Sequence, residues 1–133
     1  MYTINLTPIE RTYKNEGQHL EQVFRFNLTG EIVKADNIPH DKGTDFGNYS
    51  IKSARATVCK GDDINAYLDT DKATEFVYIT KNLIAYIMTK ALYKEFITLF
   101  ATKTTESAKN GGGVKLRLKS ESRAMLEWLR ERA

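Results

Sequence analysis

The densest chemistry in this chain lies between His40 and Arg55. Asp45 follows a Gly43-Thr44 turn, and Ser50 and Lys52 follow on a run of strand-like composition. Successive side chains of a strand alternate between faces, so Ser50 and Lys52 project together, roughly 7 Å apart, while Ile51 and Ser53 project the other way. A lysine inside such a run is costly to bury unless an acid or a phosphate meets it, and Asp45 is the nearest candidate partner. Glu21 belongs with them. On a helical projection it lies beside Leu28 at the edge of an apolar stripe, where a carboxylate reaches over the sheet that the helix covers. Two carboxylates converging on one point make a hard-oxygen site suited to Mg2+, with Mn2+ as a substitute. Such a metal polarises a phosphodiester and activates a water, and Lys52 is placed to orient or deprotonate that water.

Each residue also has a plainer reading. Asp45 serves equally as a turn residue. Lys52 serves as a snorkelling lysine whose stem alone is covered. Glu21 serves as an i,i+4 partner of Arg25 on the helix surface.

The elements that must position these groups are legible in outline. Thr7-Pro8-Ile9-Glu10 is a capping box with proline at the first helical position, so a helix is expected to begin at Thr7. It runs through an awkward Gly17, carries Leu20, Val23, Phe24 and Leu28 as its stripe, and ends on Gly30. Strands are expected over 31–35, near 45–46 and over 49–59, separated by a loop that contains Pro39, Gly43 and Gly47. After a turn at 61–63 and a helical turn at 64–68, strands over 75–80 and 83–88 form a hairpin around Lys81-Asn82. Thr89 caps a helix to Phe100 with Leu92, Phe96, Leu99 and Phe100 inward. Residues 102–113 read as a polar loop. Residues 114–119 alternate, which puts Lys115, Arg117 and Lys119 on one face, and Ser120 starts a closing helix with Met125, Leu126, Trp128 and Leu129 inward. Helices and strands are interleaved, so the expected class is α/β with a mixed sheet.

Composition sets the limits. With 133 residues, 41% of them hydrophobic and 28% charged, the chain is expected to be a single globular domain over 1–133 rather than disordered. One cysteine excludes an internal disulfide. The longest apolar run, 83–88, is far below the ~20 residues of a membrane span. The first residues show no leader pattern, so a cytoplasmic protein without a membrane partner is expected. Net charge is +3, and it is uneven. Residues 101–133 hold Lys103, Lys109, Lys115, Arg117, Lys119, Arg123, Arg130 and Arg132 against Glu106, Glu121, Glu127 and Glu131. A second basic group, Lys52, Arg55 and Lys60, sits on the 49–59 strand and its end. This pattern reads as solvated surface or as a phosphate-contacting face.

A helix bearing Glu21, then Gly43-Thr44-Asp45, then a strand bearing Lys52 resembles the PD-(D/E)xK nuclease superfamily. That group includes many restriction endonucleases and the small archaeal Holliday-junction resolvases. The resemblance covers about residues 16–60. It implies a restriction-endonuclease-like core, a mixed sheet flanked by helices, and Mg2+-dependent endonuclease activity on DNA. Asp45 then matches the metal-binding Asp, Lys52 the catalytic Lys and Glu21 the helix Glu of several branches, with Glu21 and Asp45 holding the metal. Ser50 stands where the superfamily has Asp or Glu. Some restriction enzymes with Ser-x-Lys draw that carboxylate from elsewhere, which here means Asp41, Asp62, Asp63 or Glu75. Ser53 and Arg55, with Lys42 and Lys60, are then expected at phosphates or base edges, and Lys109, Asn110, Lys115 and Arg117 on an outer DNA-binding surface. Two-strand cleavage by such a small enzyme implies a homodimer. The alternative implied by Ser50 is an inactive scaffold that binds DNA or occupies a nucleic-acid-binding protein, as phage and plasmid anti-defence proteins do. A protein-interaction domain without nucleic acid is the third reading.

Overall fold

A computed structural model describes residues 1–11, 15–32, 46–106 and 113–133. In chain order the elements are β1 (Tyr2–Asn5), α1 (Glu16–Thr29), β2 (Tyr49–Lys52), β3 (Thr57–Lys60), α2 (Ile64–Asp69) and β4 (Glu75–Ile79). They continue with β5 (Ile84–Met88), α3 (Lys90–Phe100), β6 (Ala101–Glu106), β7 (Gly113–Leu118) and α4 (Arg123–Arg132). Four strands form one sheet in the order β1-β5-β4-β2, and three form a second in the order β3-β7-β6. In the first sheet β2 runs parallel to β4 while β4–β5 and β1–β5 are antiparallel. The class is therefore mixed α/β with a mixed sheet, as the interleaved pattern implies.

Strand β4 is the centre of the molecule, since Phe76, Val77, Tyr78 and Ile79 are all buried. Val77 and Ile79 join Ile51, Ala85 and Ile87 on one face, and Leu20, Val23 and Phe24 of α1 close over them. Phe76 and Tyr78 join Tyr86 and Met88 on the opposite face. There the core is completed by Leu68 of α2, Tyr93, Phe96 and Ile97 of α3, Met125 and Leu129 of α4, and Val58, Cys59, Leu116 and Leu118 of the second sheet. Aromatic rings dominate this second layer. Phe76 stacks on Tyr93 at 4.5 Å, and Phe96 lies 5.2 Å from Tyr78, 5.5 Å from Phe100 and 5.6 Å from Trp128. The Lys90 ammonium donates to the carbonyls of Leu68 and Asp71 (2.9 and 3.1 Å), fastening α3 to the end of α2.

Several boundaries differ from the sequence expectations, each for a visible reason. The helix begins at Glu16 with Asn15 as its cap, not at Thr7. The Thr7 N–H donates to Asn27 Oδ1 (2.8 Å) and Asn27 Nδ2 donates to the Thr7 carbonyl (2.9 Å), so the segment after β1 is laid along α1 instead of entering it. The strand expected over 49–59 is two strands in different sheets. Ala56 N–H donates to the Ser53 carbonyl (3.2 Å), closing a turn in which Arg55 has φ 66°. Residues 102–106 belong to β6 and not to a loop. The hairpin loop holds three residues, 81–83, because Leu83 has φ 60° and its N–H donates to the Thr80 carbonyl (3.0 Å). Ser122, not Ser120, caps α4. Leu28 and Leu99, expected inward, are 41% and 53% exposed. Thr89 caps α3, and Gly30 ends α1 with φ 76°, both as expected. Glu31 and Ile32 are not in a strand, and the rest of the strand expected over 31–35 lies outside the described residues. Among the described residues no helix is long and apolar enough to cross a membrane.

The aromatic layer yields a direct test. Phe96→Ala empties the space between Tyr78, Phe100 and Trp128, and truncating a fully buried Phe costs about 3–5 kcal/mol. Urea unfolding is expected to show that loss, and a change below about 1 kcal/mol contradicts the central place given to this ring.

Candidate nucleic-acid interface

The placement of β2 decides what Lys52 can meet. Ile51 is in the core with Leu20, Val23 and Phe24, so it faces α1. Its neighbours Ser50 and Lys52 are therefore turned to the other face, beside their register partners Phe76 and Tyr78. Glu21 sits on α1, across the sheet from them. The first helix does lie over the sheet, as expected, but over the face that Lys52 leaves. Ser50 is buried and Lys52 half-buried, and the Lys52 ammonium has no hydrogen bond or ion pair with any described side chain. Asp45 and Lys42 lie outside the described residues, as do Asp41, Lys109 and Asn110.

Of the carboxylates named to replace a missing acid, the three described ones are engaged elsewhere. Asp63 caps α2 by accepting from Ala66 N–H (3.0 Å), Asp62 pairs with Lys103 (3.2 Å), and Glu75 accepts from the Tyr2 hydroxyl (3.1 Å). Among the described residues no group of three His, Cys, Asp or Glu side chains could hold a metal. Glu21 lies across the sheet from Lys52, and Asp45, the other residue expected to hold Mg2+, lies outside the described residues, so no step through a metal follows.

The acid on the Lys52 face is Glu121, in the segment leading to α4. Its Oε1 accepts from the Tyr78 hydroxyl (3.4 Å) and from the Lys81 backbone N–H (3.1 Å). Burial, and then the negative charge of Glu121, hold the Tyr78 hydroxyl well above its ordinary value of 10.0. Glu121 also lines a cavity of about 430 Å3 off the carboxyl ends of β2 and β4, together with Ser53, Arg55 and Lys81. Sequence reasoning missed Glu121 because it lies 69 positions beyond Lys52 and no local motif marks it.

Arg55 and Leu83 are the non-glycine residues with positive φ among the described ones. Holding each costs on the order of 1–3 kcal/mol.

The clearest cationic surface is on the second sheet. Leu116 and Leu118 of β7 point into the core, so Lys115 and Arg117 point out. In register, Lys60 of β3 stands opposite Lys115, which stands opposite Thr104 of β6. Thr57 stands opposite Arg117, which stands opposite Thr102. Arg117 Nε donates weakly to Thr57 Oγ1 (3.4 Å). Two rows of cations and threonine hydroxyls thus share one face. Lys103 is not in them, because its register partner is the inward Leu116 and its ammonium is paired with Asp62. The Lys60–Lys115 register pair brings two cations onto this face side by side. Ser53 and Arg55 stand just before this face, in the turn that leads into β3.

A polar stripe along α1, not singled out in the sequence, is formed by His19, Gln22 and Arg25. The Gln22 amide is buried, and Arg25 lies over the Phe46 ring at 4.4 Å. Desolvation, then the charge of Arg11, hold the His19 imidazole below its ordinary value.

No protein-family model, curated protein or solved structure matches this chain.

The Tyr78–Glu121 contact has a signed consequence for stability. A phenol whose pKa is raised by folding contributes stability that is present below the unfolded value, about 10, and is lost as pH rises towards the folded value. Urea midpoints measured between about pH 9 and about pH 11 are expected to fall more steeply for the wild type than for Tyr78→Phe. Parallel curves contradict this assignment.

Proposed function

We propose that this chain binds nucleic acid by laying the sugar-phosphate backbone across the outer face of the β3-β7-β6 sheet. The observation that carries the reading is the register pairing of Lys60 with Lys115, next to the Thr57–Arg117–Thr102 row. Lysine, arginine and threonine side chains gathered on one face are suited to phosphate oxygens. A sheet face bearing cations and hydroxyls tracks backbone charge more than base sequence. On this reading the resemblance of residues 16–60 to the PD-(D/E)xK superfamily reflects a divergent, restriction-endonuclease-like scaffold in which binding is the retained property. A cytoplasmic setting accords with Cys59 as a buried free thiol.

Metal-dependent endonuclease activity, in a homodimer, is the second reading. One observation favours it: Lys52 is half-buried and its ammonium has no partner among the described side chains, which is costly for an ammonium unless an anion approaches it. Glu121, rather than Glu21, is the described acid on that face.

Fluorescence anisotropy with a labelled DNA oligonucleotide over a salt series tests the first reading. The logarithm of affinity is expected to fall linearly with the logarithm of salt concentration. Lys60→Gln, Lys115→Gln and Arg117→Gln are each expected to reduce that slope by about 0.7–0.9. A flat salt response, or variants indistinguishable from wild type, contradicts it. Plasmid nicking in Mg2+ that disappears in both Lys52→Ala and Asp45→Asn moves the conclusion to the second reading, whereas intact plasmid with salt-dependent binding keeps it at the first.

A further inference from the structure

The cavity off the carboxyl ends of β2 and β4 has an apolar and a polar side. Leu20, Ile79 and Leu83 form an apolar wall, and Arg55, Lys81 and Glu121 form a polar one, with Glu16, paired to Arg11, at its edge. Both strained backbones, Arg55 at φ 66° and Leu83 at φ 60°, line it, and strain of this kind gathers at ligand sites. The Leu83 position is the left-handed third residue of a hairpin loop, where glycine is the ordinary choice. The mouth also continues the basic face of the second sheet. Arg55 lies two residues before Thr57, the register partner of Arg117, and Leu118 N–H donates to the Ala56 carbonyl (2.9 Å).

The geometry points to a nucleotide site: a single nucleobase seated against Leu20, Ile79 and Leu83, with its phosphate held by Arg55 and Lys81. The Glu121 carboxylate accepts from an exocyclic amino group of the base. Glu121 is already fixed by the Tyr78 hydroxyl and the Lys81 N–H, both on Oε1, so little ordering is required when a base arrives. A volume of about 430 Å3 lies within the range of small-ligand pockets. The Glu16 and Glu121 carboxylates disfavour a bare phosphate, and the two cations disfavour an uncharged apolar ligand. An apolar slot with a hydrogen-bonding group at its end is the way proteins seat an unstacked base. The ligand is a free nucleoside monophosphate or the unpaired end of a bound strand. The second source rests on the proposed binding surface, while the first does not.

Calorimetric titration of the full chain separates these outcomes, using AMP, adenosine, inorganic phosphate and an oligonucleotide with an unpaired adenylate end. AMP is expected to bind at least about tenfold more tightly than adenosine or phosphate alone, because each half lacks one set of charged hydrogen bonds. Arg55→Gly is expected to weaken AMP about tenfold with an unchanged or raised melting temperature, since glycine suits the left-handed backbone. Lys115→Gln is expected to weaken the oligonucleotide and leave AMP unaffected. Competition between AMP and the oligonucleotide assigns the strand end as the source, and its absence assigns the free nucleotide. Failure of AMP to bind the wild type, or equal AMP affinity in wild type and Arg55→Gly, overturns the site even if the oligonucleotide binds normally. Loss of oligonucleotide binding with AMP binding intact overturns the surface reading and leaves this one standing.

Discussion

Strand β4 has no exposed face, and most of the architecture follows from that. A strand buried on both sides must send alternate side chains into two separate cores. Val77 and Ile79 are met by α1, and Phe76 and Tyr78 by the aromatic layer beneath α3 and α4. The parallel pairing of β2 with β4 then transmits this division to its neighbour. Because Ile51 pairs with Val77, it must face α1, and Lys52 must face the side of Tyr78. A shift of one residue in that register would exchange the two sets. It would also place an ammonium in the apolar contact with Phe24, so the register is strongly fixed.

This constraint separates charges that look adjacent in the sequence and joins others that do not. Glu21 and Lys52 are divided by the sheet. Lys52, Tyr78 and Glu121 share a face although they come from distant segments. On the second sheet the same alternation gathers Lys60, Lys115 and Arg117 outward while Leu116 and Leu118 seal the core. Such a gathering of cations on one face is what the proposed polyanion-binding surface requires.

The legibility of the sequence followed burial. Strands β4 and β5 were readable because each is an apolar run with turn residues between. The α3 cap at Thr89 and the α1 stop at Gly30 were readable because single residue types carry them. Three features were not. Strand β6 is an edge strand of threonines and charges, which shows β-propensity but no hydrophobic period. The break between β2 and β3 rests on Arg55 in a left-handed conformation, a position where glycine or asparagine would have announced a turn. The capping box at Thr7 is overridden by one long-range contact, the Asn27 amide bonded to both the N–H and the carbonyl of Thr7. Of the candidate residues, Lys60, Lys115 and Arg117 came together as a surface, joined by Thr57 and Thr102. Of the Glu21, Asp45 and Lys52 set, Glu21 and Lys52 lie on opposite sides of the sheet, and Asp45 lies outside the described residues.

The most direct measurement is an amide chemical-shift map of the isotopically labelled chain titrated with a short DNA oligonucleotide at low salt. Binding across the second sheet places the largest shifts at Thr57, Lys60, Thr102, Lys115 and Arg117, and these shifts diminish together as salt is added. Shifts confined to α1 and the face it covers, with the second sheet silent, contradict the account.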